Sequence, residues 1–365
     1  MAGAPHEPHA ANSEDYTDYG KNPWIAAAED RLSTFAADVD TASYTIARRK
    51  LQEGTLPPQA SVRVEEWVNY FSYAFPAAAP GTPFSVVMEA APHPFEASRH
   101  VLRVGVATKA KTPGERKPSA LVFLVDVSGS MTSSDKLPMA KKALHILTDN
   151  LTEKDAVSIV TYAGSSRTVL QMTSIDHKDR IHKAIDSLES GGSTAMAQGI
   201  DTAYEIAAKW IRPGGISRVV VLSDGDANVG PHSHQDMLRI IEERAKAGVA
   251  LSTIGFGMGN YKDTTMEQLA DKGNGNNYYI DSLDAAKRVF ADQLTSTIET
   301  AAKDVKLQVE LDPAQVSRYR LVGYENRDVA DKDFRKDEVT GGQVGWGHQV
   351  TALYEVELTA AAKQR

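Results

Sequence analysis

The chain contains no cysteine. Structural disulfides, cysteine-ligated zinc and thiol nucleophiles are therefore excluded. Long apolar runs are also missing, and no stretch approaches the roughly 18 residues a membrane-spanning helix requires. The opening residues, Met1-Ala2-Gly3-Ala4-Pro5-His6-Glu7-Pro8-His9, lack the apolar centre of a secretory signal. The expectation is a cytoplasmic protein, or an exported one whose export segment is absent from this sequence. Clustered basic charge is lacking too. The formal charge is −8 with Lys and Arg scattered along the chain, which argues against a nucleic-acid partner. What is present is ordinary for a globular protein: 365 residues, 42% of them hydrophobic, enough for two or three domains with a sizeable core.

Five regions follow from the pattern. Residues 1–22 are polar, with His6 and His9, and read as a disordered tail. Residues 23–80 read as helical. Asp40 is a candidate N-cap for a helix over 41–52, Gly54 a stop, Pro57-Pro58 a break, and a second helix is expected over 62–73. Residues 81–117 carry strand-like alternation at 84–91 and 100–107, then a charged linker. Residues 118–302 alternate strand and helix, which specifies a largely parallel sheet covered on both faces. Too few residues separate the second strand (156–163) from the third (167–172) for a crossover helix, so the third is expected as an antiparallel edge. Residues 303–365 return to the alternating type at 305–311, 319–324 and 349–358. The simplest assembly is an α/β chain: a doubly wound, Rossmann-like unit inserted in an antiparallel β-sandwich-like domain, with an N-terminal helical segment.

The chemistry gathers at strand ends. The apolar run Leu121-Val122-Phe123-Leu124-Val125 runs into Asp126-Val127-Ser128-Gly129-Ser130, which places a carboxylate and two hydroxyls at i, i+2 and i+4. All three side chains offer hard oxygen, suited to Mg²⁺, Mn²⁺ or Ca²⁺. Taken alone, the pentapeptide fits an Asx-turn and helix cap equally well. A second apolar strand, Val219-Val220-Val221-Leu222-Ser223, ends on Asp224, and Gly191-Gly192-Ser193-Thr194 opens the helical stretch at 195–210. In a strand order 3-2-1-4-5-6, the first and fourth strands flank the reversal point where doubly wound sheets collect ligands.

Asp126, Ser128, Ser130, Thr194 and Asp224 resemble the five-residue metal-ion-dependent adhesion site (MIDAS) of von Willebrand factor type A domains, over about residues 118–302. Ser193 adjoins Thr194, and the distance to Gly199-Ile200 favours Thr194. The resemblance implies Mg²⁺, or Mn²⁺ or Ca²⁺, bound by Ser128, Ser130 and Thr194, with Asp126 and Asp224 ligating directly or through water. It implies a protein partner that completes the shell with an Asp or Glu, and a last helix (283–302) whose position responds to occupancy. The flanks, including Val62-Arg63-Val64-Glu65-Glu66-Trp67 and Gly347-His348-Gln349-Val350, resemble a bacterial subgroup of exported A-domain proteins, often lipoproteins. That implies a periplasmic or cell-surface location, with membrane contact only through an anchor absent from this chain. No segment supplies a convincing catalytic acid or base, so no enzyme is expected. A metal-dependent hydrolase, an adaptor for an AAA+ ATPase, and a metal of purely structural role are the rival readings.

Weaker signals are given their simpler reading. Asp226 and His232-x-His234 are taken as solvated loop residues before an auxiliary ion or zinc site. Gly255-x-Gly257-x-Gly259 is taken as a turn because Asn260 stands where a dinucleotide loop needs glycine. Trp210 and Phe290 are expected in the core, and Lys141-Lys142 on a solvated helix face.

Overall fold

A computed structural model describes residues 16–37, 40–79, 81–193, 195–225, 234–257, 263–336 and 341–364. The N-terminal region holds strands β1 (Ile25–Ala26) and β2 (Leu32–Ala36), then helices α1 (Ala42–Gln52) and α2 (Val64–Tyr70). Strands β3 (Phe84–Pro92) and β4 (His100–Thr108) follow. The alternating unit comprises β5 (Ser119–Asp126), α3 (Leu137–Asp149), β6 (Ala156–Tyr162), β7 (Ser166–Ser174), α4 (Lys178–Asp186) and α5 (Met196–Ala208). It continues through β8 (Ile216–Ser223), α6 (His234–Lys246), β9 (Val249–Phe256), α7 (Asp263–Lys272) and β10 (Asn277–Ile280). After α8 (Leu283–Lys287), a π-helical turn (Arg288–Asp292) and α9 (Leu294–Ile298), the chain closes with β11 (Thr300–Glu310), β12 (Val316–Val322), β13 (Gly342–Gly345) and β14 (Gln349–Leu358).

The central sheet has the order β10-β9-β8-β5-β6-β7, the expected 3-2-1-4-5-6 read from its other edge. Only β7 runs antiparallel, on β6, as the short connection requires. Every residue of β5 is buried, because helices cover both faces. Its side chains alternate between two cores. Leu121, Phe123 and Val125 meet Leu144, Ile181 and Phe290 on one face. Val122 and Leu124 meet Ile200, Tyr204 and Met266 on the other. Ala42 and Ile46 of α1 join this second core, so the N-terminal helix is seated on the α/β unit.

The flanking strands form a five-stranded antiparallel sheet, β1-β12-β14-β4-β3, and a three-stranded one, β13-β11-β2. Phe35 and Val309 of the smaller sheet share one core with Val104, Tyr319, Val350 and Tyr354 of the larger. Strand β4 precedes the α/β unit and β14 follows it, yet they pair from Gln349↔Ala107 to Val356↔His100. The sandwich is thus built from both flanks and interrupted by the inserted unit.

Four expectations need correction. The 23–80 region is not wholly helical, since β2 pairs with residues 306–310 of β11 and buries Phe35. Asp40 does not cap α1; its carboxylate accepts from the Asn277 backbone N–H (2.8 Å) and from Arg327 (3.1 Å). The 283–302 helix is broken by the π turn and ends at Ile298. The buried Glu299 carboxylate is held there by Lys111 and by the Lys117 N–H, which turns the chain into β11. Trp210 is half-buried at the opposite end of the sheet from Asp126, 4.6 Å from the Arg212 guanidinium, and outside the core that does hold Phe290.

Candidate metal centre

Burial and backbone geometry bring the strand-end oxygens together. Asp126 is the last residue of β5 and is fully buried. Its Oδ1 accepts the Ser128 backbone N–H at 2.9 Å, closing an Asx-turn that folds residues 126–128 back over the strand end. Ser128 is buried, Ser130 half-buried, and their hydroxyls lie 2.9 Å apart. On the neighbouring strand β8, the Ser223 hydroxyl donates to Asp126 Oδ2 at 3.0 Å and accepts the Gly225 N–H at 2.9 Å. Ser223 therefore clamps the Asp126 carboxylate and the turn carrying Asp224 in one contact, and Gly225 permits the turn with φ +78. Asp224 is fully buried, and its Oδ2 accepts from the buried Lys136 Nζ at 2.9 Å.

The third segment is zipped to the first by backbone bonds. Gly191 N–H donates to Val127 C=O at 2.7 Å, and Gly129 N–H to Gly192 C=O at 3.0 Å. Gly192 adopts φ +86, which favours glycine. The residues just before position 194 are thereby held against the 126–130 turn. Thr194 itself lies outside the described residues, as do Asp226, His232, Gly259, His6 and His9. His234 is described, and its Nε2 meets Gln268 rather than the centre.

The electrostatics fit a cation. Burial first, and the Asp224 charge in addition, push the Asp126 carboxyl above its usual range, against the hydrogen bonds from Ser128 and Ser223. Tyr162, at the end of β6, is raised well above the ordinary phenol by burial and then by the Asp126 charge. Two buried carboxylates thus share a small space with Lys136 supplying one positive charge, and two hydroxyls face the same region. Among the described residues no three His, Asp or Glu side chains cluster as a cage. The donors are carboxylate and hydroxyl oxygens, the type a hard divalent ion accepts.

Sequence reasoning missed Ser223 and Lys136. Ser223 reads in sequence as the last residue of a strand. Lys136 sits in a polar stretch after the motif, and its burial is visible only once Gly257, just past β9, lies against its stem.

A family model agrees with the α/β unit of this architecture. The von Willebrand factor type A domain model matches residues 120–292. A model described as von Willebrand factor matches 10–103, and that for the C-terminal part of uncharacterized protein YfbK matches 296–365. Uncharacterized protein YfbK of Escherichia coli is 41% identical over 360 residues, covering 96% of this chain and 62% of that protein. Uncharacterized protein sll0103 of Synechocystis is 27% identical over 216 residues, covering 59% of this chain and 50% of that protein. The magnesium-chelatase 67 kDa subunit of Chlorobaculum tepidum is 29% identical over 201 residues, 50% of this chain and 32% of that protein. Among solved structures, a von Willebrand factor type A protein from Catenulispora acidiphila is 16% identical with a TM-score of 0.45, covering 95% of this chain and 66% of that one. The chain thus spans 62% and 50% of the lengths of YfbK and sll0103.

Proposed function

We propose that this chain, which carries a von Willebrand factor type A domain, is a divalent-metal-dependent protein-binding module that captures an acidic side chain of a partner. Asp126, Ser128, Ser130, Thr194 and Asp224 would hold the ion, Mg²⁺ in the first instance and Mn²⁺ or Ca²⁺ as alternatives. Bound there, the ion supplies an electrophilic position for one more anionic oxygen. The chain's own residues do the rest. Ser223 and the Ser128 N–H orient the Asp126 carboxylate. The Gly191 and Gly129 backbone bonds hold the 191–193 segment against the 126–130 turn.

The observation that carries this reading is the gathering of Asp126, Ser128, Ser130 and Asp224 at the switch point of the sheet. Type A domains are generally interaction modules, which favours that reading over a hydrolase. By its resemblance to exported bacterial A-domain proteins, we place the protein outside the cytoplasm. An affinity pull-down from the native organism tests the proposal, using wild type beside Asp126→Ala, with and without chelator. Partners lost in both the mutant and the chelator arms support it; partners unaffected by either defeat it.

A further inference from the structure

Lys136 faces the metal centre but does not belong to the five-residue pattern. It stands immediately before α3, 6% exposed, with Nζ 2.9 Å from Asp224 Oδ2. A buried ammonium is costly unless it is paired, so its place is set by the carboxylate it meets. The backbone around it is shaped to the same end. Its stem crosses Gly257 at φ +81, where an added Cβ would lie 2.3 Å from both Cγ and Cε of the lysine. The Gly257 carbonyl in turn accepts from Arg49 Nη1 of α1 (3.2 Å) and from the Tyr279 hydroxyl (2.5 Å). Helix α1 and strand β10 thus brace the Gly257 backbone against which the lysine lies.

We propose that Lys136 is a specificity-determining residue of this centre: a resident positive charge that weakens binding of the divalent ion and strengthens the bound ion's hold on an acidic ligand. The inference rests on the metal-centre reading above. The charges decide its direction. Counting the described residues alone, Asp126 and Asp224 would neutralise a divalent ion and leave a centre of net charge zero. With Lys136 the loaded centre carries one positive charge and draws an incoming carboxylate; without the ion, the lysine keeps two buried carboxylates from facing each other uncompensated. A unit charge acting on a divalent ion at salt-bridge range changes the ion affinity by at least about ten-fold even at the dielectric of water, and by more at a protein's effective dielectric. The acid stands further away and gains less, about five-fold.

The test measures two affinities on the intact chain. Mn²⁺ uptake is followed by calorimetry for wild type, Lys136→Met and Lys136→Arg. Acetate is then titrated into the Mn²⁺-saturated proteins, with displacement of ion-bound water read by water-proton relaxation. Lys136→Met is expected to bind Mn²⁺ at least about ten-fold tighter and acetate about five-fold weaker, with Lys136→Arg near wild type in both. Should the methionine variant fail to fold, Lys136→Gln carries the same two expectations. Opposite signs are the signature, because a lysine with a merely supporting role would weaken both affinities when removed. Parallel losses, or an unchanged Mn²⁺ affinity, overturn the proposal. Absence of Mn²⁺ uptake by wild type would instead defeat the metal-centre reading itself.

Discussion

Replacing Ser223 by alanine probes the link between the fold's stability and the metal centre. The Ser223 hydroxyl makes two buried bonds, to Asp126 Oδ2 at 3.0 Å and from Gly225 N–H at 2.9 Å. Its loss leaves a buried carboxylate oxygen and a buried N–H short of a partner. An unsatisfied buried group costs about 1–3 kcal/mol, more when charged, so the metal-free protein should lose about 2–3 kcal/mol. A divalent ion at the centre would take over compensation of the Asp126 charge. In saturating Mg²⁺ the loss should therefore shrink by about 1 kcal/mol or more. Ser217→Ala is the control. That serine is also buried in β8 and donates to Ala207 C=O at 2.8 Å, at the end of the strand remote from Asp126. Urea unfolding with Mg²⁺ and with chelator reads both variants. A Ser223→Ala deficit identical in the two conditions, or a Ser217→Ala deficit that changes equally, would refute the reasoning.

Two further outcomes concern the scaffold. Burial, with the Glu66 charge adding to it, pushes the Glu65 carboxyl from 4.5 up to about 7. Because the folded value is raised, the native state holds the extra proton between about pH 4.5 and 7, and stability falls as pH rises through that window. At 1.36 kcal/mol per pH unit the loss is about 3 kcal/mol, and Glu65→Gln should flatten it; equal slopes for the two proteins between pH 5 and 7.5, read as urea midpoints, would contradict this. Gly199 of α5 faces the sheet, where an added Cβ would lie 2.9 Å from Leu124 Cδ1 and 3.0 Å from Tyr162 Cβ. Gly199→Ala gains about 1 kcal/mol of helix propensity but overpacks the core by about 1–3 kcal/mol, so a net loss and a lower melting temperature are expected.

The α/β unit was legible because its strands are buried on both faces. Leu121–Val125 and Val219–Leu222 are continuous apolar runs that stop on Asp, Ser or Gly, and their ends fall within a residue or two of the reading. What was missed depends on distant partners. Leu32–Ala36 becomes a strand only because residues 306–310 lie beside it, and β13 is four residues, two of them glycine, paired along β11. Local propensity carries no trace of either pairing. The same holds at the site. The five oxygen-bearing positions stood out as a pattern, whereas Ser223 and Lys136 matter through contacts made 97 and 88 residues away in the chain.

The central claim is that these strand-end oxygens bind one divalent ion. Calorimetric titration of the intact chain with Mg²⁺ and Mn²⁺, beside an Asp126→Ala variant shown to be folded, tests it most directly. About one ion per chain is expected for wild type and none at this site for the variant. No uptake by wild type, or equal uptake by both, would contradict the account.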